Sequence, residues 1–79
     1  MKKNIDGIPL EMDYVDSTML STVGYVEEER MLAIEFSRGP VYVYNNVPKN
    51  VFDELLKAPS IDDYFTENIK NGYKNKRVW

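Results

Sequence analysis

The sequence predicts a small α+β domain, in which a three-stranded antiparallel β-meander is followed by two amphipathic helices packed on one face of the sheet (βββαα). Two observations support this fold class. Residues 20–45 contain three segments rich in β-forming residues, and residues 48–69 change to the apolar periodicity of helices. The length of 79 residues fits a single domain.

The predicted strands cover residues 20–29, 31–36 and 41–45. Short polar turns join them, which is typical of antiparallel neighbours. In the third strand, alternation places Val41 and Val43 on one face and Tyr42 and Tyr44 on the other. The pattern leaves open which of these two faces is buried.

Two helices are predicted after the strands. Pro48 suits the first turn of a helix, where its missing N–H needs no partner, and Pro59 ends that helix. Ser60 or Asp62 can cap the second helix. The apolar stripes consist of Val51, Phe52, Leu55 and Leu56 on the first helix and of Ile61, Tyr64, Phe65 and Ile69 on the second.

The two ends of the chain differ from its centre in pattern and in charge. Residues 1–12 show no clear period, and we expect an N-terminal arm there that can include a short extended piece at residues 8–12, with residues 13–79 forming the domain and its basic C-terminal tail. Residues 1–65 carry six Lys/Arg and twelve Asp/Glu, whereas residues 66–79 carry four Lys/Arg and one Glu. The body would therefore repel nucleic acid at long range, and the tail would attract it.

The composition argues against several classes of function. The chain has no cysteine, which excludes disulfides and thiolate metal sites, and no histidine, which is the commonest general base. Its apolar runs are far shorter than the ~20 residues of a transmembrane helix, and no signal peptide is expected. We therefore expect a cytoplasmic, non-enzymatic protein without catalytic residues, metal ion, cofactor or membrane association.

The acidic clusters are expected to be structural. Adjacent carboxylates in an extended strand point to opposite faces, so Glu27, Glu28 and Glu29 converge poorly and suit a solvated turn. Asp62 and Asp63 lie at the predicted start of a helix, where negative charge complements the helix dipole.

Tyr42 and Tyr44 allow two interpretations. If Val41 and Val43 face the helices, the tyrosines line an open sheet face that could stack the bases of RNA. Alternatively, the tyrosines pack across strands with their hydroxyls near solvent, and an orientation towards the core would favour this second interpretation. Both interpretations stay open at the level of sequence.

The basic tail, residues 69–79, also allows two interpretations. It interleaves cations and aromatic rings, a composition that suits single-stranded nucleic acid or an acidic protein surface. These residues are Lys70, Tyr73, Lys74, Lys76, Arg77 and Trp79. Alternatively, the tail is a solvated helix end followed by a strand or arm that packs Val78 and Trp79. Because a tryptophan left in water has no structural purpose, we expect Trp79 to dock on the domain or contact a partner.

A series of motifs runs through residues 15 to about 75. It consists of Val15, Ser17, the Val-Gly-Tyr block 23–25, Leu32, Ile34, Phe36, Gly39, the Tyr-Val-Tyr-Asn-Asn-Val-Pro block 42–48, Phe52, Leu55, Ala58, Ser60, the Tyr-Phe pair 64–65, Ile69 and Tyr73. In this order the motifs resemble the KTSC family, a short domain named for its occurrence at the C-terminus of some lysyl-tRNA synthetases. The family usually has a glycine two residues after the serine, where this chain has Asp62. Aspartate tolerates the left-handed conformation better than most residues, so we expect the turn to persist.

The resemblance implies a modest set of properties. Family members also occur as small stand-alone proteins in bacteria and phages, without an established catalytic activity or cofactor. The association with a synthetase suggests docking to RNA or protein. The matched positions are mostly apolar or turn residues, so the resemblance assigns no catalytic residue.

We therefore predict a non-enzymatic binding module that docks RNA, or an RNA-associated protein, through the tyrosine face and the basic tail. The predicted binding residues are Tyr42, Tyr44, Tyr73, Lys74, Lys76, Arg77 and Trp79. The alternative is a protein-interaction adaptor or phage-type modulator that presents Glu27, Glu28 and Glu29 to a basic partner. A monomer or weak homodimer is expected, since an exposed sheet edge makes dimerisation possible.

Overall fold

The computed structural model describes residues 2–5 and 8–78, which form a sheet, two helices and an N-terminal hairpin. The strands are β1 Lys2–Ile5, β2 Ile8–Glu11, β3 Asp13–Tyr14, β4 Leu20–Val26, β5 Met31–Phe36, β6 Val41–Tyr44 and β7 Asn75–Arg77. The helices are α1 Lys49–Lys57 and α2 Ile61–Tyr64, and α2 continues without a break into a π-helical segment, Phe65–Ile69.

The main sheet has five antiparallel strands in the order β3-β4-β5-β6-β7. The α+β class and the central meander β4-β5-β6 are confirmed, whereas the predicted number of three strands is wrong. The two additional strands lie at the edges, and neither carries an apolar alternation. β3 has two residues, and β7 consists of the polar residues Asn75, Lys76 and Arg77. Their positions follow from pairing with β4 and β6, which a period-2 pattern does not reveal.

The helices begin and end close to where the prolines and Ser60 predict. Pro48 lies immediately before α1, at its N-cap. Ala58 has an extended backbone, with φ −65° and ψ 140°, because a residue before proline avoids the helical region. The Ser60 hydroxyl caps α2 by accepting a hydrogen bond from the Asp63 backbone N–H at 3.2 Å.

One residue of the predicted apolar stripe of α1 lies on its outer side. Leu55 is fully buried, whereas Leu56 is 42% exposed. Successive residues of an α-helix are rotated by about 100°, so neighbours seldom share the same degree of burial at the margin of a stripe. The inward face of α1 therefore contains Leu55, with Val51 and Phe52 packed against the same core.

The tyrosines of β6 face the helices, and the valines face the opposite side of the sheet. Tyr44 belongs to the helix-side core together with Leu55 and Phe65, and Tyr42 packs against that core. Val41 and Val43 belong to a second core on the other side. The predicted open sheet face lined by tyrosines is therefore wrong, because the tyrosine side of β6 is the side that the helices cover.

The N-terminal hairpin β1-β2 accounts for the second core. Leu10 and Met12 are buried there against Ala33, Val41 and Val43. The backbone of the hairpin comes very close to Gly24 of β4, where an added Cβ would lie 2.6 Å from the Glu11 carbonyl oxygen. The segment predicted as an arm thus supplies core side chains, while the domain boundary at residue 13 stays a prediction. Within the described residues, every helix is too short or too polar to cross a bilayer.

Candidate binding cleft

A cleft of about 710 Å³ opens on the helix side of the sheet. Four segments form it: the loop before β4, the β5–β6 turn with the adjoining strand ends, the end of the π-helical segment, and the start of β7. The lining residues are Thr18, Met19, Phe36, Ser37, Arg38, Pro40, Tyr42, Tyr44, Phe65, Lys70, Asn71 and Asn75. We refer to this set as the cleft. It contains both predicted tyrosines, so the predicted pair lines a concave site and not an open sheet.

Four aromatic rings form the floor of the cleft. The Phe65 ring meets the rings of Phe36 and Tyr44 edge to face, with centroid distances of 5.6 and 5.8 Å. The Phe36 and Tyr42 rings meet at 5.6 Å and 90°. Phe65 and Tyr44 are buried, and Tyr42 is half-buried. Because edge-to-face pairs are a preferred arrangement of aromatic rings, the floor is built before any ligand arrives.

The π-helical segment places the Phe65 ring in the floor of the cleft. The Lys70 N–H donates to the Phe65 carbonyl at 2.9 Å, a hydrogen bond that spans five residues and widens the last turn. Phe65 and Ile69 are both buried on the inner side of this turn. Lys70 and Asn71 follow directly and line the cleft. The chain then turns at Gly72, where an added Cβ would lie 2.9 Å from the Asn68 carbonyl oxygen.

The cleft is electropositive in a chain whose net charge is −3. Arg38 and Lys70 are among its lining residues, and no carboxylate is found among those that the structure describes. Strand register adds a third cation, because Arg77 lies directly opposite Tyr42 and therefore projects on the same side of the sheet. These cations are exposed, so solvent screens them, but together they give the cleft a positive potential that favours anionic ligands.

The Tyr44 hydroxyl remains protonated across the neutral range. Burial, with a smaller contribution from the neighbouring Tyr42, raises the pKa of Tyr44 to about 12. Desolvation disfavours the charged phenolate, which explains the direction of the shift. The floor therefore offers a neutral polar group and adds no negative charge to the cleft.

A network of hydrogen bonds fixes the loop that forms one wall. The hydroxyls of Ser17 and Thr18 both donate to the Asp62 carboxylate, from Thr18 at 2.5 Å. Ser17 Oγ in turn accepts from the Leu20 N–H at 3.0 Å, and Ser37 Oγ donates to the Thr18 carbonyl at 2.8 Å. The bonds from Ser17 and Thr18 lower the pKa of the Asp62 carboxyl below its ordinary value. The network ties the cleft wall to α2.

Asp62 corrects one expectation from the sequence. It does not occupy a left-handed turn, because in the described chain the non-glycine residues with positive φ are Arg30 and Asn46. Asp62 lies in the first turn of α2, where both it and Asp63 complement the helix dipole as predicted. At this position, two residues after Ser60, the Asp62 carboxylate accepts hydrogen bonds from the cleft wall.

The predicted binding residues lie at different distances from the cleft. Tyr42 and Tyr44 line it, and Arg77 projects on its side of the sheet. Lys76 lies opposite Val43 and projects on the other side, while Lys74 is exposed just before β7. Tyr73 packs against the helix-side core. Trp79 lies outside the described residues.

Sequence reasoning missed several residues of the cleft. Arg38, Asn71 and Asn75 were not singled out, although a hairpin closing at residues 37–40 places the end of β5 beside the start of β6. That pairing was a usable signal for Phe36 and Arg38. Asn71 and Asn75 gave no signal, because they reach the cleft only through the packing of the π-helical segment and β7.

The arrangement is suited to reversible binding. Among the described residues, no group of three or more Asp and Glu is placed to hold a metal ion. Glu27, Glu28 and Glu29 are exposed in the turn between β4 and β5, and they do not line the cleft. The cleft combines flat aromatic surface, amide groups and cations, which are the elements of a site for an aromatic anion.

Comparison with known proteins relates the fold to a family. The model of the KTSC domain matches residues 16–73. A protein of Stutzerimonas stutzeri is 38% identical over 65 residues, which cover 82% of this chain and 89% of that protein. A lysine–tRNA ligase of Nostoc punctiforme is 34% identical over 63 residues, which cover 80% of this chain but 11% of the ligase.

A solved structure gives the same result. The crystal structure of a KTSC domain protein from Yersinia pestis superimposes with a TM-score of 0.83 at 27% sequence identity. The match covers 89% of this chain and 99% of that protein. The family model matches residues 16–73, and these relatives and the solved structure each match 80% or more of the chain. The chain therefore belongs to the KTSC domain family, as its motifs suggested.

Proposed function

We propose that this protein docks RNA on the surface formed by the cleft and the adjacent strand β7. One observation carries the proposal: β7 pairs with β6, which places Arg77 opposite Tyr42 on the cleft side of the sheet and brings Lys74 and Lys76 to the same sheet edge. Aromatic rings next to cations are the arrangement by which proteins bind single-stranded nucleic acid. The protein would act by binding alone.

The charge distribution supports this location. The twelve acidic side chains within residues 1–65 repel RNA at long range. Arg38 and Lys70, however, line the cleft, and its described lining contains no carboxylate. Arg77 extends the positive surface on the cleft side of the sheet, and Lys74 and Lys76 are exposed along the same sheet edge. RNA would approach from this edge, since screening limits the repulsion from the acidic body to about 10 Å at ordinary salt.

The relatives add a second line of support. Three proteins named lysine–tRNA ligase, two from Nostoc and one from Trichormus variabilis, match this chain over 63 residues, each over 11% of its own length. That name states tRNA as a substrate of those proteins. A module attached to such an enzyme is well placed to contact RNA, and this chain shares the module.

The proposal is tested by fluorescence anisotropy of a labelled single-stranded RNA and a tRNA, titrated with the protein at 50 and 200 mM salt. If Lys74, Lys76 and Arg77 each contact a phosphate, this increase in salt should weaken single-strand binding by roughly 20-fold through counterion release. Replacing all three with Gln should remove most of the salt dependence.

A matched control separates local contacts from overall charge. The triple variant Arg30→Gln, Lys49→Gln and Lys57→Gln loses the same charge at exposed positions that do not line the cleft. This variant should bind RNA almost as well as the unmodified protein. Absence of binding at tens of micromolar protein in 50 mM salt, or equal losses in both variants, would contradict the proposal. The acidic adaptor that presents Glu27, Glu28 and Glu29 would then be the hypothesis to pursue.

A further inference from the structure

We infer that the cleft is a mononucleotide site, which in RNA is filled by one unstacked nucleotide with its base against Tyr42 and its phosphate at Arg38 and Lys70. The inference rests on the proposed function and specifies what the cleft itself recognises. Arg77 of β7, opposite Tyr42, is assigned to a neighbouring phosphate of the same strand.

The size and boundaries of the cleft favour a single base. Its volume of about 710 Å³ falls within the range of about 300–1,000 Å³ that is typical of small-ligand sites. The cleft is bounded by the loop at Thr18 and Met19, the turn at Arg38 and the helix end at Asn71. A base stacked within a duplex cannot enter such a space, whereas a base of a single strand can be splayed out and inserted.

The chemistry of the lining matches the parts of a nucleotide. The half-buried Tyr42 ring, held edge to face by Phe36, gives a base an aromatic surface to stack on. Asn71 and Asn75 can meet the polar edge of a base, since amides both donate and accept hydrogen bonds. The amide nitrogen of Asn75 donates to the Tyr73 carbonyl at 3.3 Å, and its Oδ1 and second amide hydrogen can still bond to a ligand.

Simpler ligands would use only part of this lining. An apolar molecule would cover the half-buried rings of Phe36 and Tyr42 but leave Arg38 and Lys70 without an anion. An inorganic phosphate would satisfy the cations but leave those two rings partly in water. A nucleotide engages both halves at once, because its phosphate and its base are separated by one sugar. The absence of carboxylates from the described lining removes the main repulsion against that phosphate.

The test is an NMR titration of the full chain with adenosine 5′-monophosphate, and separately with adenosine and with inorganic phosphate. The expected result is a set of amide shift changes confined to the cleft, notably at Arg38, Tyr42 and Lys70. Adenosine 5′-monophosphate should bind about tenfold more tightly than either fragment. Equal shifts from inorganic phosphate alone would overturn the inference, and so would shifts located elsewhere on the protein.

Two substitutions separate the roles of base and phosphate. Lys70→Gln, at an exposed position, should weaken binding of the nucleotide severalfold and leave binding of adenosine unchanged. Tyr42→Leu should weaken binding of both the nucleotide and adenosine, and a preserved amide spectrum would show that the fold of this variant is intact. Lys57→Gln is the control for charge and should change neither affinity. If Lys70→Gln and Lys57→Gln have equal effects on the nucleotide, the assignment of the phosphate fails.

The outcomes distinguish this inference from the proposed function. If RNA binds with the expected salt dependence but the mononucleotide leaves the cleft unperturbed at millimolar concentration, the docking surface stands and the nucleotide site is overturned. If the mononucleotide fills the cleft while RNA does not bind, the site is supported and the proposed function fails.

Discussion

The two ends of the helix-covered face carry similar aromatic residues but differ in how they are covered. At one end, the Tyr25 and Phe52 rings stack in parallel at 5.2 Å and 13°, and the Tyr25 hydroxyl donates to the Val47 carbonyl at 2.6 Å. At the other end, four rings meet edge to face, and the cleft lies over them. We call these the closed end and the open end.

The difference follows from where the helices lie. α1 begins three residues after the Asn46 turn and places Phe52 directly on Tyr25, so each ring covers the other at the closed end. The helical segment after α2 ends at Ile69 and leaves the rings of Phe36 and Tyr42 only half-buried. Aromatic residues therefore form ordinary core at one end and a candidate site at the other. Composition alone does not separate these two uses, because the covering element decides between them.

The largest expected effect concerns the closed end. Leu55→Ala should lower the free energy of unfolding by about 2–5 kcal/mol, because Leu55 is fully buried and its truncation leaves a cavity. Leu56→Ala is the matched control on the same helix, and since Leu56 is 42% exposed, its effect should stay below about 1 kcal/mol. Urea unfolding followed by circular dichroism measures both values. Similar losses of unfolding free energy in the two variants would mean that the inner face of α1 stabilises this end no more than its outer face does.

The second effect concerns the open end at high pH. The pKa of Tyr44 is about 12 in the folded protein against an ordinary value of 10.0, so its contribution to stability is present below pH 10 and disappears as the pH approaches 12. About 2 kcal/mol should be lost from this residue by pH 12. The measurement compares urea unfolding of the unmodified protein and of Tyr44→Phe at about pH 8 and at higher pH.

The comparison with Tyr44→Phe removes other titrations from the result. The pKa of Tyr64 is also raised, by burial and by its hydrogen bond to Glu54, but this residue is present in both proteins. The difference between the two unfolding free energies therefore isolates Tyr44. A difference that stays constant with pH would show that the floor of the open end is as well hydrated as a surface tyrosine.

The fold was predictable from sequence where local patterns were long enough. β4, β5 and β6 each span four residues or more with β-forming side chains, and Pro48, Pro59 and Ser60 marked the helices. The edge strand β3, Asp13–Tyr14, was too short to produce a pattern. Its pairing with β4 is a tertiary contact, and such contacts leave no local trace.

The orientation of β6 could not be derived because both of its faces are buried. An alternating strand normally shows one polar side, which identifies solvent, but Val41/Val43 and Tyr42/Tyr44 are both apolar enough to pack. The informative signal was elsewhere, in Gly24, which pairs with Ala33 and leaves room for the N-terminal hairpin. The cleft was harder still, since Arg38 and Lys70 are far apart in sequence and meet only in the folded chain.

The smallest expected effect is the difference in stability lost when a single tyrosine hydroxyl is removed at one end or at the other. Tyr25→Phe should lower the free energy of unfolding by about 1 kcal/mol, because it leaves the Val47 carbonyl without its hydrogen bond at the closed end. Tyr42→Phe, at the open end, should change stability by less than about 0.5 kcal/mol, since the ring and its contact with Phe36 remain. Thermal unfolding of the two variants, made in parallel, gives the comparison. If Tyr42→Phe were the more damaging change, its hydroxyl would have to stabilise the folded chain directly, and the ring would not be held for a ligand. The expected order instead assigns the hydroxyl of Tyr25 to folding and leaves that of Tyr42 to the cleft.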